Sequence, residues 1–160
     1  MQGKTVLAAE LPVPESVLLW SMRAWVIGHC RRLDVSSRIE RVLAQLGASE
    51  AAHDLNGFMW ALRQGALRTI EINCVCHPEV SLDEGMLLAL FALQQQEDHD
   101  DAYTVLSDLV TERAAIAASE SSQRVALLFA VAGNSLSTLS FIRVRSLAEH
   151  ASARRAGYLH

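Results

Sequence analysis

Little interrupts this chain. Its 160 residues hold only three prolines and eight glycines, which leaves room for long helices. Aromatic side chains make up 6%, and the β-branched residues form no succession of strand-like segments. Cysteine is scarce and odd in number. Cys30, Cys74 and Cys76 point to free thiols or a metal site in a reducing cytoplasm, not to a disulfide framework. Basic charge is short as well, with 14 Lys and Arg against 18 Asp and Glu and a formal net charge of −4. A general nucleic-acid binder should carry a basic face, so no nucleic-acid partner is expected. The first ten residues carry one lysine and no apolar core of a signal peptide, which again favours a cytoplasmic protein. Also missing are a G-x-G-x-x-G after a strand, a Walker lysine loop, an H-E-x-x-H and a G-x-S-x-G elbow. Nothing assembles a nucleophile, a base and an orienting group at recognisable spacing, and the chain reads as non-enzymatic.

What is present is apolar. Hydrophobic residues account for 51% and charged residues for 20%, a globular balance rich in alanine and leucine. The length suits one domain over 1–160, able to bury about two-thirds of its unfolded surface. Residues 125–142 contain no charge, long enough to span a bilayer. Asn134, Ser135, Ser137, Thr138 and Ser140 fall inside that stretch, so a central buried helix is expected in a soluble protein with no membrane partner.

Apolar spacing predicts an all-α fold: a compact bundle of about six helices with one short extended segment near residues 68–76. Residues 1–11 read as a loose arm and residues 150–160 as a fraying end. Pro12 and Pro14 mark the first helix entrance, with Glu15 in its first turn. Its run over residues 17–27 is apolar nearly all round, Arg23 being the one charge, and Gly28 with the Arg31-Arg32 pair suits the helix end. Asp34, Ser36 and Ser37 offer caps for a second helix with Ile39, Val42, Leu43 and Leu46 inside and Gly47 after it. Ser49 caps a third, through about Gln64, whose far side carries Trp60 and calls for cover by another helix or subunit. Ser81 and Glu84 form a capping box for a fourth. A fifth is expected from about Asp100 to Ala118, and a sixth from near Ser122, continuing past Arg143. Ala126, Ala130, Gly133, Ser137 and Ser140 give the sixth a small-residue face.

The sharpest chemical signal is Cys74-Val75-Cys76-His77-Pro78. Thiolate and imidazole are the ligands zinc prefers, so Cys74, Cys76 and His77 are candidate ligands, with a fourth from His29, Cys30, His53 or His99. No second knuckle accompanies them, and the plainer reading makes both cysteines small apolar residues on a buried edge. A reversible thiol switch is a further option. Ser81, Asp83 and Glu84 could form an acidic site beside His77, yet capping explains them. Residues 97–101 could hold a hard cation, yet acids at a helix start explain them. A helix-turn-helix over residues 38–64 would begin its recognition helix with acids, which phosphates disfavour.

The opening run Leu18 to Arg23, Leu-Leu-Trp-Ser-Met-Arg, resembles small uncharacterised proteins of alphaproteobacteria, as do Cys76 and Val80-Ser81-Leu82-Asp83-Glu84. The resemblance spans about residues 15–95 and implies a helical fold with no assigned activity. The expected function is a helical protein-interaction or regulatory domain, homodimeric or bound to a protein partner. The alternative is a zinc- or redox-responsive regulator using Cys74, Cys76 and His77. A third possibility is a bundle enzyme drawing on Arg23, His53 and His77.

Overall fold

The structure is a computed structural model that describes residues 5–137. Six α-helices follow a short 3-10 turn at Ala8–Glu10: α1 Val13–Arg31, α2 Ser36–Ala44, α3 Ala51–Gly65, α4 Leu82–Gln95, α5 His99–Leu109 and α6 Glu112–Val131. No sheet forms among the described residues, only two isolated bridges. The fold is all-α, as the apolar spacing predicts.

Helices α3 and α6 make the most intimate pair. Gly65 meets Ala114 so closely that a Cβ on Gly65 would lie 2.1 Å from the alanine methyl. Gly57 likewise faces Ser121. The small side chains Ala114, Ala115, Ala118, Ser121 and Ser122 are all buried on α6. The small-residue face is therefore real but runs from Ala114 to Ala126 and not onward from Ala126, since Ala130 is exposed and α6 stops at Val131. Helix α4 fills the space beside them. Every residue from Met86 to Leu93 is at most 6% exposed, and Phe58 and Phe91 meet at 4.9 Å between ring centroids. A fully buried side chain of this size contributes about 1.5–3 kcal/mol.

Helix ends are set by local chemistry. Four of them close through a left-handed residue: Arg32 after α1, Gly47 after α2, Glu97 after α4 and Gly133 after α6. Asn134 N–H donates to Phe129 O at 2.8 Å and Gly133 N–H to Ala130 O at 2.9 Å, a Schellman closure that stops α6 where a continuing helix was expected. The uncharged stretch 125–142 is thus broken, its last residues lie outside the described ones, and no described helix is long and apolar enough to cross a membrane. Gly28 is no cap. It sits inside α1, where the returning chain at Leu33 and Val35 approaches too closely for a side chain.

The expected fifth helix divides. Val110 adopts φ −138° and ψ 167°, extended backbone that pairs with Ala66, and Thr111 becomes the N-cap of α6. Thr111 N–H donates to Gly65 O and Leu67 N–H to Leu109 O, both at 2.9 Å, so the end of α3 draws the chain out of the helix there. Ser119 to Ser122, expected as a turn, stays helical; the Ser122 hydroxyl donates to Ser119 O along the helix. Helix α3 begins without a side-chain cap, contrary to the expectation for Ser49. Ser81 and Glu84 form the capping box as read.

Candidate functional site

Residues 66–81 connect α3 to α4 and carry the cysteine motif. Residues 69–74 have no regular secondary structure and belong to no strand. The Ile70 and Ile72 side chains pack half-buried against the core. At Val75 and Cys76 the chain turns, closed by His77 N–H donating to Cys74 O at 3.0 Å. The turn swings Cys74 and Cys76 outward, so both are exposed free thiols and not the buried apolar edge expected as the plainer alternative.

The loop is held from beneath by charge. Arg23 is 2% exposed and Glu84 is fully buried. The guanidinium grips the carboxylate twice, Nε to Oε2 at 2.7 Å and Nη2 to Oε1 at 2.9 Å. Its remaining donors reach into the loop, Nη1 to His77 O and Nη2 to Glu79 O, both at 2.8 Å. Glu84 also accepts from Ser81 N–H at 2.9 Å and Asn73 N–H at 3.1 Å. A buried ion pair is tolerable only when its other polar atoms are satisfied, and here the loop backbone satisfies them. Asn73 adds a bond from Nδ2 to Glu79 O at 3.0 Å, across the neck of the loop.

A second pair holds the incoming limb. Arg68 donates from Nη1 and Nη2 to both oxygens of Asp83, at 2.9 and 2.7 Å, and Glu71 N–H donates to Asp83 Oδ2 at 2.7 Å. Burial pushes the Asp83 carboxyl up. The Arg68 bonds, the Glu71 N–H and the Arg68 charge together outweigh burial and hold it below the ordinary carboxylate range. Arg68 is raised correspondingly, chiefly by its bond to Asp83. The outgoing limb pairs with the N-terminal arm, Ala8 N–H to Pro78 O and Val80 N–H to Val6 O, both at 2.8 Å. Residues 5–11, expected as part of a loose arm, are therefore fastened to the loop.

Among the described residues no group of three His, Cys, Asp or Glu side chains is placed to hold a metal ion. Cys74, Cys76 and His77 share one turn, and His77 Nδ1 accepts from Glu79 N–H at 3.1 Å. Arg23 is consumed by Glu84 and the loop carbonyls, while His53 is exposed on α3, so the trio Arg23, His53 and His77 makes no site. Asp83 and Glu84 act structurally, each bound to an arginine. Trp60 finds most of its cover inside the chain. It meets Trp25 edge-on at 5.5 Å and His29 at 4.8 Å, and is left 38% exposed.

Spacing could not place Arg23 against Glu84, 61 residues apart, nor Arg68 against Asp83. The usable signal was a single arginine within the otherwise apolar run of residues 17–27, since a buried charge must find a partner. The comparisons with known proteins add nothing to this geometry: no family model, curated protein or solved structure matches the chain.

Proposed function

We propose that this protein is a non-enzymatic interaction domain that pairs with a second copy of itself through the clamped loop. One observation carries this reading. Along residues 69–73, the alternate residues Glu71 and Asn73 direct their N–H groups to Asp83 and Glu84, as on one edge of an extended chain. Successive backbone groups of an extended chain point to opposite edges, so Ile70 and Ile72 direct theirs the other way. No hydrogen bond to the main chain of either residue is found among the described residues. An open edge of this kind is a template for adding a strand. A second copy offers the same edge, and antiparallel pairing about a two-fold axis uses it on both sides. The flanking residues Leu67, Val75 and Leu82 are exposed and apolar, and would be covered in the same contact.

The clamp supports this assignment. Two arginine–carboxylate pairs and the N-terminal arm fix a segment with no regular secondary structure of its own. A rigid edge avoids the ordering cost that a flexible one incurs on binding. Light scattering coupled to size exclusion tests the proposal across a dilution series. A dimer whose Ile70 and Ile72 amides exchange more slowly as concentration rises is the expected result. A monomer at every concentration overturns it.

A further inference from the structure

Cys74 and Cys76 take no part in the proposed pairing, and the fold gives them a chemistry of their own. Along a fully extended chain, residues two apart stand about 6–7 Å apart between Cα atoms, at the far edge of what a disulfide bridges. Here the chain turns instead. His77 N–H donates to Cys74 O at 3.0 Å, which makes Cys74 the first and Cys76 the third residue of a β-turn. A turn bends two Cα steps of about 3.8 Å to roughly a right angle. The two Cα atoms then come to about 5.5 Å, a common spacing in disulfides. Both cysteines are free and exposed, so each thiol is open to a reactant and able to rotate towards the other.

The folded chain fixes both shoulders of this turn. On one side Asn73 N–H donates to Glu84 Oε2 at 3.1 Å; on the other Arg23 Nη1 donates to His77 O at 2.8 Å. Asn73 Nδ2 ties the first shoulder to Glu79 O at 3.0 Å. The bent spacing is thereby held before any bond forms, whereas an unfolded chain visits it as one conformation among many. The ring closed by a disulfide here encloses a single intervening residue. Bridges that depart from relaxed geometry store strain, and strained, exposed disulfides are the labile ones that exchange. Cys30 supplies a contrast within the same chain: it is also exposed, in the last turn of α1, with no second cysteine near it in sequence.

We propose that Cys74 and Cys76 are a redox-active dithiol that exchanges with small-molecule disulfides of the glutathione class. One cysteine, as thiolate, attacks a sulfur of the small disulfide; that S–S bond breaks, a mixed disulfide forms and one thiolate leaves. The other cysteine, deprotonated, attacks the protein sulfur of the mixed disulfide, closes the bond between Cys74 and Cys76 and expels the second thiolate. Two electrons pass from the protein thiols to the small disulfide, and the two protons go to the leaving thiolates. Excess small thiol runs both steps backwards. Closure needs no second copy and is read whatever the oligomeric state.

The full chain is equilibrated with mixtures of reduced and oxidised glutathione, quenched in acid and mapped by peptide mass, in buffer and in urea. In the native protein the peptide holding Cys74 and Cys76 should lose two hydrogens and carry no glutathione, while Cys30 takes glutathione and keeps it. The equilibrium constant for closure should be about fivefold higher in buffer than in urea, the gain from one residue's backbone already ordered. Cys76→Ser, an exposed substitution, should leave glutathione trapped on Cys74. Glutathione on both Cys74 and Cys76 with no internal bond, equal closure in buffer and urea, or disulfide-linked dimers in place of the internal bond would overturn the assignment.

Discussion

Replacing Glu84 with alanine strands the Arg23 guanidinium in the interior with no carboxylate within reach. Arg23 and Glu84 are 2% and 0% exposed, so solvent cannot take over the lost interaction. Removing one partner of such a pair costs about 3–5 kcal/mol, because the remaining charge is left uncompensated. The capping contact to Ser81 N–H and the bond to Asn73 N–H disappear with it. A domain of this size has about 5–15 kcal/mol of total stability, so the variant should be severely weakened, with Tm lowered by about 10 °C or more. Urea denaturation followed by far-ultraviolet circular dichroism gives the magnitude. The double variant Arg23→Met with Glu84→Met separates stability from loop anchoring. It removes both charges, so global stability should largely return. The carbonyls of His77 and Glu79 still lose their donor, and amide exchange and limited proteolysis should find residues 71–80 loosened. Glu84→Ala within about 1 kcal/mol of the parent, or a double variant with an equally protected loop, would refute the assignment of the pair as the clamp.

Other perturbations read different parts of the fold. Gly65→Ala puts a methyl 2.1 Å from Ala114 Cβ and should lower stability by about 1–3 kcal/mol, measurable as a Tm shift; Gly65→Ala with Ala114→Gly should recover part of it. Asp83 has a folded pKa below its unfolded one, so its contribution is complete above the unfolded value of about 3.9 and is lost as pH falls through the folded value. Denaturation midpoints should therefore fall on acidification below about pH 4, and less steeply in Asp83→Asn. Arg32→Gly should raise stability by about 1 kcal/mol, since Arg32 is held at φ +54° where a Cβ is disfavoured. Cys30, Cys74 and Cys76 should all react with a thiol reagent in the native protein, and Cys74→Ser with Cys76→Ser should shift stability by no more than about 0.5 kcal/mol.

The helices were legible because burial imposes a 3.6-residue rhythm, and α1, α2 and α4 begin close to where that rhythm and the flanking residues place them. The Ser81–Glu84 capping box was legible because both partners lie within one turn. The α5–α6 boundary was not. Val110 and Thr111 leave the helix for a bridge to Ala66 and a bond to Gly65, contacts more than forty residues away that no local pattern records. The extended segment was visible by its alternation, but alternation also suggested that Cys74 and Cys76 continue the inward face of Ile70 and Ile72. The turn closed by His77 breaks that phase, and the loop's partners Arg23, Asp83 and Glu84 come from elsewhere in the chain.

The N-terminal arm has a bearing on how assembly would end. By laying Val6 and Ala8 against Val80 and Pro78, it occupies the backbone of the loop's return limb. A subunit with two vacant margins can recruit neighbours without limit and grow into a fibre. In the proposed pairing, a subunit whose edge at Glu71 and Asn73 is engaged by Asp83 and Glu84, and whose return limb is covered by Val6 and Ala8, would couple once and close.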